Sequence, residues 1–308
     1  MLSFLVSPSF WASVLASTTP VLLATLAANI MTKAGIFNLG IEGTMLICAL
    51  GGVLASGFTG SLFIGMLVGV LLGILVSFVL GYFILVMNAP MNSCGVAINL
   101  AATGGTVFIL AMVCGSKNNS SSLVSAYFPN VAIPLLKDIP VVGQILSGQN
   151  AVTYLSWIFV AATYFLLYHT KLGLNIRAVG ENEAAAKSAG INVLRIKFIA
   201  LAMCGLFCAF GGMYLSMGAL HGFTAGMVSG RGFLSLAMDA IAQGNPLIGC
   251  ASSFLYGFSN TITVYLQLYS QLDLQLISAF PYVFILVVLM FIQLGRSRIE
   301  KKKQRAQF

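Results

Sequence analysis

Two acidic residues, Glu42 and Asp239, lie inside long apolar runs of this 308-residue chain. An ionisable side chain is costly in such a run, so a function is the first hypothesis for each. The carboxylate either lines a polar cavity within the membrane, or it pairs with a backbone amide or a basic neighbour and holds a bend. Residue type and spacing leave both alternatives open for both acids.

Each acid belongs to a segment in which the apolar pattern is interrupted. Glu42 lies in KAGIFNLGIEG at residues 33–43, where three glycines and Asn38 are typical of a discontinuous helix beside a polar cavity. Asp239 is followed by QGNP at residues 243–246, which predicts a second break. We expect the two breaks at a comparable depth, as in transporters whose solute path lies between two halves.

The cysteines and histidines do not indicate a metal site or a catalytic centre. No CxxC spacing and no partnered histidine occurs, which is typical of small buried residues, for Cys48, Cys94, Cys114, Cys204, Cys208 and Cys250. His169 and His221 are far apart in sequence. No P-loop pattern occurs, so any ATP that drives this protein is hydrolysed by a different chain. We therefore expect no cofactor, no metal and no enzymatic activity of its own.

The composition predicts an all-α, polytopic membrane protein with a single domain over residues 1–308. The chain is 59% hydrophobic and 7% charged, with a mean hydropathy of +0.98, which is outside the range of soluble domains. Eight apolar runs, the seventh of them split at residues 244–246, predict nine membrane elements within a range of 8–10, including discontinuous helices. The runs cover residues 10–31, 36–57, 61–87, 94–115, 151–170, 198–220, 232–268 and 275–294.

The positive-inside rule predicts the orientation of these elements. A cytoplasmic central loop at 171–197 and a cytoplasmic basic tail at 295–308 leave only Lys117, Lys137 and Arg231 outside, of 15 basic residues. This arrangement places residues 116–150 in an external loop and the N-terminus outside, and it requires the short element at 232–244 to cross the membrane. The basic tail is typical of an anchor at anionic membrane lipid and not of a nucleic-acid site.

The stretch at residues 170–197 is the most highly charged part of the centre of the chain, with seven of the 22 charged residues. Asn182 is a good helix N-cap, Glu183 lies in the first turn, and three alanines follow. Lys187 lies four residues after Glu183, and Gly190 provides a left-handed end. These features predict a short, capped, exposed helix, which a soluble motor protein can contact.

Small residues at every fourth position form stripes that we interpret as helix-packing surfaces and not as solute contacts. One stripe comprises Gly65, Gly69, Gly73, Ser77 and Gly81, and a second comprises Gly249, Ser253 and Gly257.

Four stretches together resemble the membrane-spanning subunits of bacterial ABC importers of the branched-chain amino acid, simple sugar and nucleoside permease family. They are AGIFNLGIEGTM at residues 34–45, MNSCGVAINL at 91–100, GLNIRAVGENEAAAKSAGI at 173–191 and GRGFLSLAMDAIAQGNP at 230–246. The resemblance covers about residues 20–295 and is most specific in the third stretch.

The resemblance implies a helical permease in the bacterial plasma membrane. It implies three kinds of partner: a second permease subunit, identical or different; two cytosolic ATPase subunits that hold ATP and magnesium; and an extracellular substrate-binding lipoprotein. The implied ATPase coupling region comprises Arg177, Gly180, Glu181, Asn182, Glu183, Ala184, Ala185, Lys187 and Gly190. The expected substrate pathway comprises Asn38, Glu42, Asn99, Asp239, Gln243 and Asn245.

The form FNLGIEG at residues 37–43 looks more like the nucleoside and simple-sugar branch of the family than like the ribose branch. A path with amides and few charges suits a neutral, hydrogen-bonding solute, so nucleosides are the expected substrate. Simple sugars and riboflavin are alternatives within the family. An ion-coupled secondary carrier that uses Glu42 or Asp239, and a membrane scaffold that transports nothing, are alternatives from other classes.

Overall fold

The computed structural model describes residues 7–132, 142–269 and 273–305. The first half of the chain contains four long helices, and the third continues as a π-helical turn over Tyr82–Val86. They are α1 at Pro8–Lys33, α2 at Ile41–Thr59, α3 at Leu62–Gly81 and α4 at Met91–Cys114. A short two-stranded antiparallel sheet follows, with β1 at Asn130–Val131, helix α5 at Val142–Leu146 and β2 at Gln149–Asn150.

The second half alternates long and short helices. Helix α6 spans Ala151–His169, α7 spans Lys171–Glu181, α8 spans Glu183–Ser188, and α9 spans Val193–Met213 with a π-helical continuation over Tyr214–Ala219. Helix α10 spans Arg231–Ala242, α11 spans Pro246–Tyr269, and α12 spans Leu274–Arg305. The predicted helical membrane fold is confirmed, and within the described residues seven helices are long and apolar enough to cross a bilayer.

Two predicted segments fall partly outside the described residues. Lys137 of the external loop and residues 306–308 of the basic tail lie outside the described residues. The backbone of α12 continues as a helix through Arg305, so the last apolar run and most of the tail form one element.

Helix α1 is the central element of the bundle. It is apolar on all sides, and every residue from 18 to 31 is buried, which is expected of a helix surrounded by other helices. Helices α9, α10 and α11 pack around it, and α6 makes a smaller contact. Helix α11 carries buried hydroxyl groups on the side that contacts α1, as in the hydrogen bond of 3.1 Å from the Ser253 hydroxyl to Thr25 Oγ1.

The predicted packing role of the small-residue stripes is confirmed. A Cβ atom at Gly65 would lie 2.7 Å from the Ser56 Cβ, and one at Gly73 would overlap the carbonyl oxygen of Gly205 on α9. In the second stripe, a Cβ at Gly257 would lie 2.8 Å from the carbonyl oxygen of Val14. The backbones of these helices approach so closely that only a hydrogen atom fits at these positions.

The loops occupy two opposite ends of the bundle. At one end, Lys33 contacts Gly180 of α7 and Gly244 after α10. At the other end, Asn119 pairs with Thr224 in an isolated β-bridge, and Leu123 packs on Gly57. The 19 residues of α6, about 28 Å of helix, connect the two ends. This separation agrees with the predicted placement of the two loops on opposite sides of the membrane.

Candidate functional site

The first predicted break is the non-helical segment between α1 and α2, and Asn38 holds its shape. The Asn38 Oδ1 accepts a hydrogen bond of 2.8 Å from the Gly40 N–H, a local turn that competes with helix formation. The Asn38 Nδ2 donates to the Cys204 Sγ of α9 at 3.4 Å. Gly35 has a φ of +72°, which its lack of a Cβ allows without strain.

Asn99 of α4 connects this break to a neighbouring helix. Its Oδ1 accepts from the Gly43 N–H at 2.8 Å, and its Nδ2 donates to the Leu39 carbonyl at 2.9 Å. A Cβ at Gly43 would lie 2.9 Å from the Asn99 Cα, so the contact needs glycine. The amide group thus satisfies two backbone groups that the break leaves without helical partners.

The Glu42 carboxylate lies at the N-terminus of α10. Its Oε1 accepts from the Gly230 N–H at 2.8 Å, and its Oε2 accepts from the Gly232 N–H at 2.7 Å. The first N–H groups of a helix have no partners within that helix and favour an anion. A Cβ at Gly232 would lie 2.6 Å from the Glu42 Cα. Glu42 therefore joins the start of α2 to the start of α10.

The Asp239 carboxylate joins the other end of α10 to α1. Its Oδ2 accepts from the Thr32 hydroxyl at 2.5 Å, and its Oδ1 accepts from the Gly244 N–H at 3.2 Å. The hydrogen-bond geometry assigns the Asn29 amide nitrogen towards the same carboxylate, to which it donates at 2.5 Å. Asp239 is buried, with 7% of its surface exposed.

Gln243 and Asn245 form the second break. Gln243 adopts a left-handed φ of +51°, which is uncommon for a residue with a side chain, and its N–H donates to the Asp239 carbonyl at 2.6 Å. The Asn245 Oδ1 accepts from the Leu247 N–H at 3.0 Å in the first turn of α11. The Gln243 side chain is exposed.

The six predicted pathway residues therefore form two clusters, and the expected comparable depth of the two breaks is wrong. Asn38, Glu42 and Asn99 lie near the start of α10, whereas Asp239, Gln243 and Asn245 lie near its end. Arg231 and Asp239 are eight residues apart, about 12 Å along the helix axis. Asn29 and Thr32 were not predicted, although their spacing of three residues near the end of α1 was a usable signal.

The predicted short, capped, exposed helix is confirmed as α8. The Asn182 Oδ1 accepts from the Ala185 N–H at 3.0 Å, and Gly190 has a φ of +82° just after the helix. The carboxylate of Glu183 does not pair with Lys187. Its Oε2 lies 2.6 Å from the Nζ of Lys197, which is buried at the start of α9.

Helix α7 was not predicted, and it is the element that connects α8 to the first break. Its residues Ile176 and Val179 are buried, and Gly180 lies so close to α1 that a Cβ there would overlap the carbonyl oxygen of Lys33. A Cβ at Gly35 would in turn lie 3.1 Å from the Gly180 Cα. The signal was the apolar spacing of three residues between positions 176 and 179.

The coupling residues divide by exposure. Arg177 and Gly180 are half-buried, and the Arg177 guanidinium lies 5.1 Å from the ring centre of Tyr168. The remaining predicted coupling residues are exposed, namely Glu181, Asn182, Glu183, Ala184, Ala185, Lys187 and Gly190. Within the part of the chain that the structure describes, no group of three or more His, Cys, Asp or Glu side chains could hold a metal ion.

Seven membrane-length helices among the described residues, two broken elements and an exposed α7–α8 loop define a multi-pass membrane protein. The chain belongs to the family described as branched-chain amino acid transport system / permease component, whose model matches residues 10–293.

Curated relatives match most of the chain. The guanosine ABC transporter permease protein NupQ of Bacillus subtilis is 31% identical over 80% of this chain and 78% of its own length. The putative glucose ABC transporter permease protein TsgC13 of Haloferax volcanii is 31% identical over 82% and 75%. The nucleoside ABC transporter permease protein NupC of Lactococcus lactis is 28% identical over 90% of both chains. No solved structure matches the chain at a significant level.

Proposed function

We propose that the chain is a permease subunit of an ATP-driven importer that takes up nucleosides. The similarity to NupQ and NupC carries this proposal, because two relatives named for guanosine and nucleoside transport align with 80% and 90% of the chain. The family match over residues 10–293 includes both breaks and the α7–α8 loop.

The chemistry of the two breaks supports a neutral solute. The Glu42 and Asp239 oxygens accept hydrogen bonds from groups of this chain, so neither carboxylate is positioned as the free counter-charge of an ionic substrate. The breaks also carry amide side chains: Asn38 and Asn99 bond the backbone of this chain, whereas Gln243 is exposed. A nucleoside is uncharged and offers hydroxyl groups and a polar ring edge, which amides recognise by hydrogen bonds.

Partner subunits complete the proposed importer. Cytosolic ATPase subunits, which hold ATP and magnesium, bind the exposed α8. A second permease subunit, identical or different, binds beside this chain. An extracellular lipoprotein delivers the nucleoside. The contact between Gly35 and Gly180 supports the coupling role, because it connects the α7–α8 loop directly to the first break. Movement of α8 on ATP binding would change the geometry around Asn38 and Glu42.

A simple-sugar permease is the second candidate, favoured by the 31% identity to the putative glucose permease of Haloferax volcanii. Riboflavin uptake is a further alternative with the same neutral chemistry. An ion-coupled carrier would need Glu42 or Asp239 to exchange a proton or a cation, and its uptake would stop with an uncoupler while ATP is maintained.

The test is uptake of radiolabelled guanosine by cells with and without this chain, in competition with adenosine, ribose, galactose and riboflavin. We expect deletion to remove guanosine uptake, competition by nucleosides only, and persistence of uptake with an uncoupler when ATP is maintained. Unchanged guanosine uptake together with loss of sugar or riboflavin uptake would contradict the substrate and retain the permease.

A further inference from the structure

An aromatic pair on the outer surface of the bundle separates two apolar cavities. The rings of Phe78 on α3 and Phe198 on α9 meet edge to face, with centroids 5.6 Å apart. A cavity of about 720 Å³ lies on the α3 side, and a cavity of about 390 Å³ lies on the α9 side. Both cavities share Phe78, Phe198 and Ile74, so together they form one groove.

The dimensions of the groove match one leaflet of a bilayer. On α3 it extends from Leu71 to Tyr82, and these eleven residue steps correspond to about 16 Å of helix. One leaflet contributes about half of the 30 Å hydrocarbon thickness. Apart from Tyr82 and Arg195, all residues that line the groove are apolar. The groove therefore offers an apolar surface along the depth of one leaflet.

The two polar side chains of the groove lie at the end of the bundle that carries the α7–α8 loop. Arg195 is in the first turn of α9, and Tyr82 directly follows α3. A Cβ at Gly81 would lie 3.2 Å from the Phe198 ring, which places the end of α3 about one helical turn from Arg195. Phenol and guanidinium groups are typical of the boundary between hydrocarbon and water.

The Arg195 guanidinium carries a charge that the described part of the chain does not neutralise. Among the described residues, Arg195 forms a hydrogen bond through its backbone N–H alone, which donates to the Asn192 Oδ1 at 3.0 Å. The neighbouring Lys197 pairs with Glu183 on another side of α9. A cation at the water-side end of an apolar groove is complementary in charge and shape to an amphiphile with a negative head.

We propose that this groove binds an anionic phospholipid of the cytoplasmic leaflet. One acyl chain lies along the Phe78–Phe198 pair, the phosphate pairs with the Arg195 guanidinium, and the Tyr82 hydroxyl contacts the headgroup region. The site is separate from both breaks and from the exposed face of α8. The groove has the length of one leaflet and ends in a single cation, which matches a phospholipid better than a protein surface.

The test measures lipid binding to the full-length chain, purified with the subunits that remain bound to it and stripped of lipid in detergent. Native mass spectrometry compares dioleoyl phosphatidylglycerol with dioleoyl phosphatidylcholine, which have the same acyl chains. We expect the wild type to prefer phosphatidylglycerol, and we expect Arg195→Gln to reduce this preference about fivefold, the factor for one basic residue at an anionic surface. Arg195→Lys should retain most of it.

Two further variants separate the groove from general lipid contact. Ala202→Trp fills the cavity on the α9 side and should reduce binding of both lipids, whereas Ala101→Trp on the exposed face of α4 should not. Lys171→Gln removes an exposed cation of α7 and should leave the preference intact. Equal binding of the two lipids by the wild type, or an unchanged preference in Arg195→Gln, would overturn the proposal.

Discussion

The two carboxylates within the bundle bind opposite ends of one short helix. Glu42 accepts the N–H groups at the start of α10, and Asp239 connects its last turns to Thr32 of α1. A carboxylate at a helix N-terminus gains from the partial positive charge there, and the helix gains partners for its first N–H groups. This arrangement matches the structural alternative for Glu42, in which the acid pairs with backbone amides.

We predict that Glu42→Ala lowers the free energy of unfolding by about 2–4 kcal/mol, because two N–H groups lose their acceptor within the bundle. Glu42→Gln retains one acceptor oxygen and should cost less. The measurement is the thermal unfolding of the purified protein in detergent, with guanosine uptake measured in parallel. Glu181→Ala is the matched control for stability alone, since this exposed acid of the predicted coupling region should change the free energy by about 0.5 kcal/mol or less.

The two variants distinguish an anchor from a proton carrier. If Glu42 is a structural anchor, uptake by both variants should fall in proportion to their loss of stability. Full stability of Glu42→Gln combined with complete loss of uptake would instead assign the charge to transport.

Residue types in the sequence identified Asn38, Glu42 and Asn99 as special, because a polar group in an apolar run needs a partner. Their partners could not be predicted from the sequence. Glu42 and Gly230 are 188 positions apart, and no local pattern connects them. A glycine that accepts a close backbone and a glycine that ends a helix look the same in one sequence.

Helices α7 and α8 form one element that connects the exposed loop to the first break. Helix α8 was predictable, because its cap, its alanines and its terminal glycine are local signals. Helix α7 was missed because its charged residues and glycines at 171–181 made it look like part of the exposed loop. The expected equal depth of the two breaks failed because α10 has only 12 residues and its orientation depends on contacts with α1 and α11.

We predict that Gly180→Val lowers guanosine uptake and the thermal unfolding temperature, because its side chain would overlap the Lys33 backbone. Overpacking of this kind costs about 1–3 kcal/mol. Gly104→Val is the matched control, since no atom lies within 4 Å of its Cβ position on α4.

Co-purification of the ATPase subunits completes the comparison. Gly180→Val leaves the exposed face of α8 unchanged, so the ATPase should still bind while uptake is reduced. Uptake at the wild-type level in Gly180→Val would refute the role of this contact in coupling.

The whole molecule has two chemically different ends. The Lys33 end carries α7 and α8, whereas the other end carries the β1–β2 sheet and the Asn119–Thr224 bridge. The charge distribution in the sequence predicted which end faces the cytoplasm, and the structure agrees in placing the two loops at opposite ends. Residues 220–230 lead from the Asn119–Thr224 bridge to the Glu42 carboxylate. Their path could not be predicted, since it depends on the contacts at both of these places.

We predict that Ala184→Cys is protected from a membrane-impermeant maleimide in intact cells, whereas Ser121→Cys is labelled. Both positions are exposed in the structure. The variants are made in a background in which the six native cysteines are replaced. Permeabilised cells that lack the ATPase subunits serve as the control, because α8 is then uncovered and both variants should react. Labelling of Ala184→Cys in intact cells would reverse the orientation of the whole bundle.

The contact between Gly35 and Gly180 joins two segments through main-chain atoms only. Side chains between moving parts absorb small displacements by changing rotamer, and no side chain lies between these two segments. The contact is therefore rigid. A shift of a few tenths of an ångström in the α7–α8 loop should move the first break by a similar amount. Neither glycine has room for a side chain, because a Cβ at either position would press on main-chain atoms of the other segment.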